Sequence, residues 1–176
     1  MIDFSRNHFE LFGLPERFRF DSGALERAYH ALQVEVHPDR FAAEGEAERR
    51  VALQSSARVN EAYRALKDPV DRAQYLLSLR GIDALAATDS ALPLDFLEQQ
   101  LERREAAAAA QDARDAAALE ALLAGVRADR AVLELGLAAL LDGDGAWDEA
   151  RMRVRELKFL GKLAADLDAM LGELEA

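Results

Sequence analysis

The chain has no cysteine, so it can form no disulfide and has no thiolate for zinc or an iron-sulfur cluster. Histidine occurs only at His8, His30 and His37, in unrelated contexts and without a third ligand at zinc spacing, so no metal or other cofactor is expected. Long apolar runs are also missing. Nothing reaches the roughly 18 residues of a membrane span, and "MIDFSRNHFELF" lacks the apolar core of an export signal, so a cytoplasmic protein with no membrane partner is expected. No glycine-rich loop followed by lysine is present, which leaves ATP binding to a partner.

What is present is 176 residues, 51% of them hydrophobic, enough for one large core or two small ones. The net charge of −11 is unevenly spread: residues 1–80 carry −1 and residues 81–176 carry −10. That asymmetry argues against nucleic acid as a partner and for two parts with different roles.

Apolar spacings of three and four recur throughout and strand alternation does not, so the fold class is all-α. A short helix over 7–11 stops at Gly13 and Pro15. Asp21 or Ser22 then caps a second helix with the inward stripe Leu25, Ala28, Tyr29, Leu32 and Val36. A third helix over 46–67 turns inward Val59, Ala62, Tyr63 and Leu66, and Pro69 opens a fourth that Gly81 ends. Tyr29, Tyr63 and Tyr75 are expected in the core of this first domain, residues 1–80.

The stretch "GIDALAATDSALP" lacks a stripe and marks a linker over 81–92. Residues 93–176 then form three helices joined by short turns, an antiparallel bundle. Pro93 fits the first turn, the run Ala106 to Ala110 continues that helix, and further helices cover 113–141 and 147–174. "DGDGAWDEA" is not a calcium loop: with Asp142 as position 1, the required glycine is Trp147 and the required glutamate is Arg153.

The last helix has one broad inward stripe, Ala150, Val154, Leu157, Leu160, Ala164, Leu167 and Leu171. Met152, Phe159, Leu163 and Met170 lie beside it as an extra apolar edge, expected to be an exposed docking strip. On the helix after Pro93, Leu97 and Leu101 stand one turn apart with Arg104 in line, flanked by Glu98, Glu102 and Glu105. An arginine in that row argues against deep core.

Between the second and third helices stands "VEVHPDRF". Proline pushes its predecessor out of helical geometry, so Pro38 ends the second helix near Val36 or His37. The result is a stiff loop presenting one imidazole and one carboxylate, with Asp39 placed to accept a hydrogen bond from the backbone beyond.

A helical hairpin broken by His-Pro-Asp resembles the J-domain. The segments "HFELFGLP", "HPDRF", "SSARVNEAYRALKDPVDRAQYLLSLRG", "FLEQQLERRE" and "RELKFLGKL" occur in the order and spacing of the HscB family of iron-sulfur co-chaperones. The resemblance covers nearly the whole chain. It implies an L-shaped, non-enzymatic protein with an N-terminal J-domain and a C-terminal three-helix bundle. His37, Pro38 and Asp39, with Arg40, Arg27 and His30, would engage HscA, a DnaK-type ATPase, and stimulate its hydrolysis. Leu97, Glu98, Leu101, Glu102, Glu105 and Phe159 would hold the cluster scaffold IscU for delivery. The chain departs from the family pattern in places. Its second helix offers only Arg27 and His30 as basic groups, Arg40 stands where lysine is common, and Glu98 where methionine occurs. Two rival readings are an acidic helical adaptor with a degenerate J-domain and a general client-delivering J-protein.

Overall fold

Asn7 starts the first helix, α1 (His8–Phe12), with a capping box: its side chain accepts the Glu10 N–H, and Glu10 accepts the Asn7 N–H. Gly13 closes it at φ 63°, a conformation that glycine adopts without strain. The computed structural model describes residues 2–41, 43–86, 92–143 and 145–175, and among them there are seven α-helices and no strand. The chain divides into two compact units, Met1–Arg80 and Gly81–Ala176.

In the first unit, Asp21 caps α2 (Ser22–Val36) by accepting the Gly23 N–H. The helix stops where His37 turns extended (ψ 126°) before Pro38, as sterics require. A 3₁₀ turn over Pro38–Phe41 follows, then α3 (Glu46–Lys67). Asp68 ends α3 and caps α4 (Pro69–Leu79) at once, its carboxylate accepting the N–H groups of Val70 and Asp71. Phe9, Leu25, Val36, Val59, Leu66 and Leu77 form the core. Arg72 ties its edge, donating to the Leu66 and Phe18 carbonyls with its guanidinium over the Phe18 and Phe20 rings.

The tyrosines are not core. Tyr29, Tyr63 and Tyr75 are each half-buried, because a phenol buries its ring while its hydroxyl seeks a polar partner. Tyr29 and Tyr63 stack at 3.8 Å along the α2–α3 seam; Tyr29 donates to Asn60, and Tyr63 donates to Glu26.

The second unit contains α5 (Leu94–Asp112), α6 (Ala116–Asp142) and α7 (Trp147–Glu175). The break between α5 and α6 falls at 113–115, later than the sequence indicated. Arg114 takes a left-handed φ of 53°, the Asp115 N–H bonds back to the Ala110 carbonyl, and the Asp115 side chain caps α6 through the Ala118 N–H. Leu119, Leu123, Val126, Leu160, Leu163 and Leu167 make the core. Leu163 therefore belongs to the interior, at 2% exposure, rather than to an exposed strip. Of the expected linker, residues 87–91 lie outside the described residues, as does Asp144 of "DGDG"; Ala84 is buried and its carbonyl accepts from Arg155 Nε at 2.7 Å.

Candidate functional site

The loop after α2 presents its two polar side chains to solvent: His37 is 57% and Asp39 90% exposed. The hydrogen bond within the loop has a different acceptor from the expected one. The imidazole, not the carboxylate, takes the backbone N–H: Asp39 N donates to His37 Nδ1 at 3.3 Å, and Asp39 Oδ2 stands 3.6 Å from the same nitrogen. A 3₁₀ turn curls the chain back on itself after Pro38, with Arg40 N donating to the His37 carbonyl at 3.1 Å, so the acceptor within reach is the imidazole.

Arg40 has a structural task of its own. Its Nη1 donates to the Val34 carbonyl at 3.2 Å and the Glu35 carbonyl at 3.5 Å, closing the last turn of α2 with a cation where the helix dipole is negative. The signal was legible as a basic residue just past a helix end. Arg27 and His30 are exposed on α2, and Val34 follows on the same face at helical spacing. Arg27 is paired with Asp21 at 3.0 Å, which offsets much of its charge, and the His30 ring lies 5.5 Å from Tyr29.

In the second unit α5 is built inside out. Its buried positions are Gln100, Ala107 and Ala110, while Leu94, Leu97 and Leu101 are 70%, 39% and 59% exposed. Arg103, between the buried positions, holds Asp129 of α6 in an ion pair. Glu98, Glu102 and Glu105 are exposed beside the leucines. Phe159 of α7 is half-buried and meets α5 twice: its ring stands edge-on to Phe96 at 5.7 Å, and the Arg104 guanidinium covers it at 5.0 Å. The row Leu94, Leu97, Leu101, Arg104 thus leads to Phe159. Leu94 and Phe96 were not singled out in the sequence, although both sit at helical spacing from Leu97 and Leu101 or from Phe159's partner Arg104.

A helical hairpin broken by an exposed His-Pro-Asp turn defines a J-domain protein, and residues 7–75 match the family model described as the DnaJ domain. Residues 92–168 match the model described as the HSCB C-terminal oligomerisation domain. The chain belongs to the HscB family of co-chaperones. It is 46% identical to the co-chaperone protein HscB homolog of Burkholderia vietnamiensis, over 99% of each chain. It is equally similar to that of Paraburkholderia phymatum, again over 99% of each. Chaperone HscB from Vibrio cholerae superposes with a TM-score of 0.84 at 38% identity, covering 96% of this chain and 99% of that one. Human co-chaperone HscB gives 0.87 at 27% identity, covering 96% and 83%. The family is one of J-proteins rather than enzymes, and it implies an Hsp70-type chaperone as partner. No described helix is long and apolar enough to cross a membrane.

Proposed function

We propose that this cytoplasmic protein stimulates ATP hydrolysis by an HscA-type member of the Hsp70 class and delivers to it an IscU-type iron-sulfur scaffold. His37, Pro38 and Asp39 would act on the ATPase, with Arg27, His30 and Arg40 beside them. Leu97, Leu101 and Phe159 would anchor the scaffold, with Glu98, Glu102 and Glu105 at the rim. The observation that carries the reading is the solvent-facing imidazole and carboxylate on a turn held from behind by Arg40. The second half is supported by α5, which turns leucines to solvent and glutamine and alanine inward. A helix that served only the bundle would do the opposite.

Steady-state ATPase assays on the paired chaperone, with and without scaffold, test both halves. His37→Gln and Asp39→Asn should abolish stimulation while leaving the melting curve nearly unchanged, as exposed substitutions do. Either variant stimulating normally would reject the ATPase role. Leu97, Leu101 and Phe159 changed together to alanine should leave basal stimulation intact and remove the extra stimulation the scaffold brings. Each single truncation should weaken scaffold binding by about 1 to 3 kcal/mol, as hot-spot residues do.

A further inference from the structure

Past Phe159 the face proposed for the scaffold does not end; it opens into a groove of about 480 Å³ between α5 and α7. Ala107, Leu163 and Leu167 make its floor, all buried, and Met170 lines it further along, half-buried. Space is left there because α5 has alanine at 107, where a larger side chain would fill the gap between the helices. A bridge crosses the groove near its far end, Gln111 Nε2 donating to the Glu173 carboxylate at 2.9 Å. From Lys162 to Glu173 it runs about 16 Å at the helical rise, room for roughly five extended residues.

Its charges are unevenly placed. Arg104 of α5 and Lys162 of α7 line the end nearest Phe159, and both are exposed. Neither has a carboxylate within ion-pair distance among the described residues. In this unit of net charge −10, Arg103, Arg127, Arg130, Arg151 and Arg153 each pair with an acid. Asp166 stands one turn beyond Lys162, so the groove passes from cationic to acidic along its length. The other flank of α5 is acidic: at 100° per residue, Glu98, Glu102 and Glu105 fall on the side of Leu101 away from Arg104. The exposed leucines therefore lie between an acidic flank and a cationic one.

We infer that this groove takes an apolar segment of the scaffold whose carboxylate sits between Arg104 and Lys162, and that the pair of cations sets which way round the scaffold docks. The inference rests on the scaffold reading of the α5 face. A partner seated on Leu101 and Phe159 is already at the mouth of the groove, since the Arg104 guanidinium lies over the Phe159 ring at 5.0 Å. Apolar anchors supply affinity and discriminate little between orientations, whereas complementary charge fixes register. A scaffold docked the other way round would set its carboxylate against Glu98, Glu102 and Glu105.

Calorimetric titration of the full chain with a purified IscU-type scaffold tests this. Arg104→Glu and Lys162→Glu should each weaken binding by about tenfold or more, because each sets like charge against the scaffold carboxylate. Both positions are exposed, so the melting curves should hold. Arg114→Glu changes the net charge equally but lies in the α5–α6 turn, outside the groove, and should bind as the wild type does. The deficit of Lys162→Gln should shrink as salt is raised, since screening removes what the charge contributed; lost packing alone would leave it constant. Wild-type binding by either folded reversal variant overturns the inference and leaves the groove to another occupant, a free carboxylate or a second copy. The scaffold reading survives that result if the triple alanine variant of Leu97, Leu101 and Phe159 loses binding. No binding by the wild-type chain overturns both. Equal weakening by Arg114→Glu would make the effect one of net charge and overturn the inference alone.

Discussion

His8 is buried against Tyr75, their rings stacked at 4.0 Å and the His8 backbone N–H donating to the Tyr75 hydroxyl at 2.9 Å. Its Nδ1 is buried without a hydrogen-bond partner among the described residues. Burial first, and the nearby Arg58 second, depress its pKa to about 4 from 6.5, against a smaller opposing effect of Glu61. Between those values the folded chain binds fewer protons than the unfolded one. Its stability contribution is therefore complete above pH 6.5 and is lost as pH falls toward 4. The loss should be on the order of 3 kcal/mol, read as a falling midpoint in denaturant titrations across that range. His8→Phe, which keeps the stack, should flatten this part of the profile. A profile equally steep in the variant would assign the acid sensitivity to other groups.

At the scale of elements, α5 and α7 divide their apolar residues between packing and display, and truncation separates the two uses. Leu163→Ala, in the bundle core, should cost about 2 to 5 kcal/mol of stability. Leu101→Ala, largely exposed already, should cost well under that, and thermal melts of the pair compare them directly. Sequence periodicity found both helices and did not tell these leucines apart. At 100° per residue Leu163 lies at the margin of the α7 stripe, and whether a margin is covered depends on the neighbouring helix. The loop was legible because proline acts locally: Pro38 ends α2 whatever surrounds it. Asp68 and Pro69 fixed the α3–α4 junction for the same reason. The start of α6 was not legible. Ala113 and Arg114 are both good helix formers, and only the left-handed turn at Arg114, set by the Asp115 N–H reaching Ala110, separates α5 from α6. The tyrosines misled in another way. Their rings fit the stripes, and the hydroxyls that draw them to the surface carry no periodic signal.

At the scale of the whole molecule, each unit has its own core, and the excess acidity lies in the second. The described residues contain no cluster of three His, Asp or Glu able to bind an ion, and there is no thiol anywhere in the sequence. The purified chain should accordingly give well below one equivalent of iron or zinc in elemental analysis, with no visible absorption. One retained metal per chain would contradict a purely protein-binding role.

The two alanines that α5 buries set a clearance. Ala107 and Ala110 face inward while Ala106, Ala108 and Ala109 face solvent, so one low-complexity run contains two kinds of site. A larger residue at Ala107 or Ala110 would lever α5 off its neighbours and misalign Leu97 and Leu101 with Phe159, even though no displayed residue had changed. In a saturation scan scored by scaffold binding, tolerance along 106–110 should therefore drop sharply at 107 and 110 and stay high between them. Such a pattern would show that part of the specificity of the display face is held by the smallest side chains behind it.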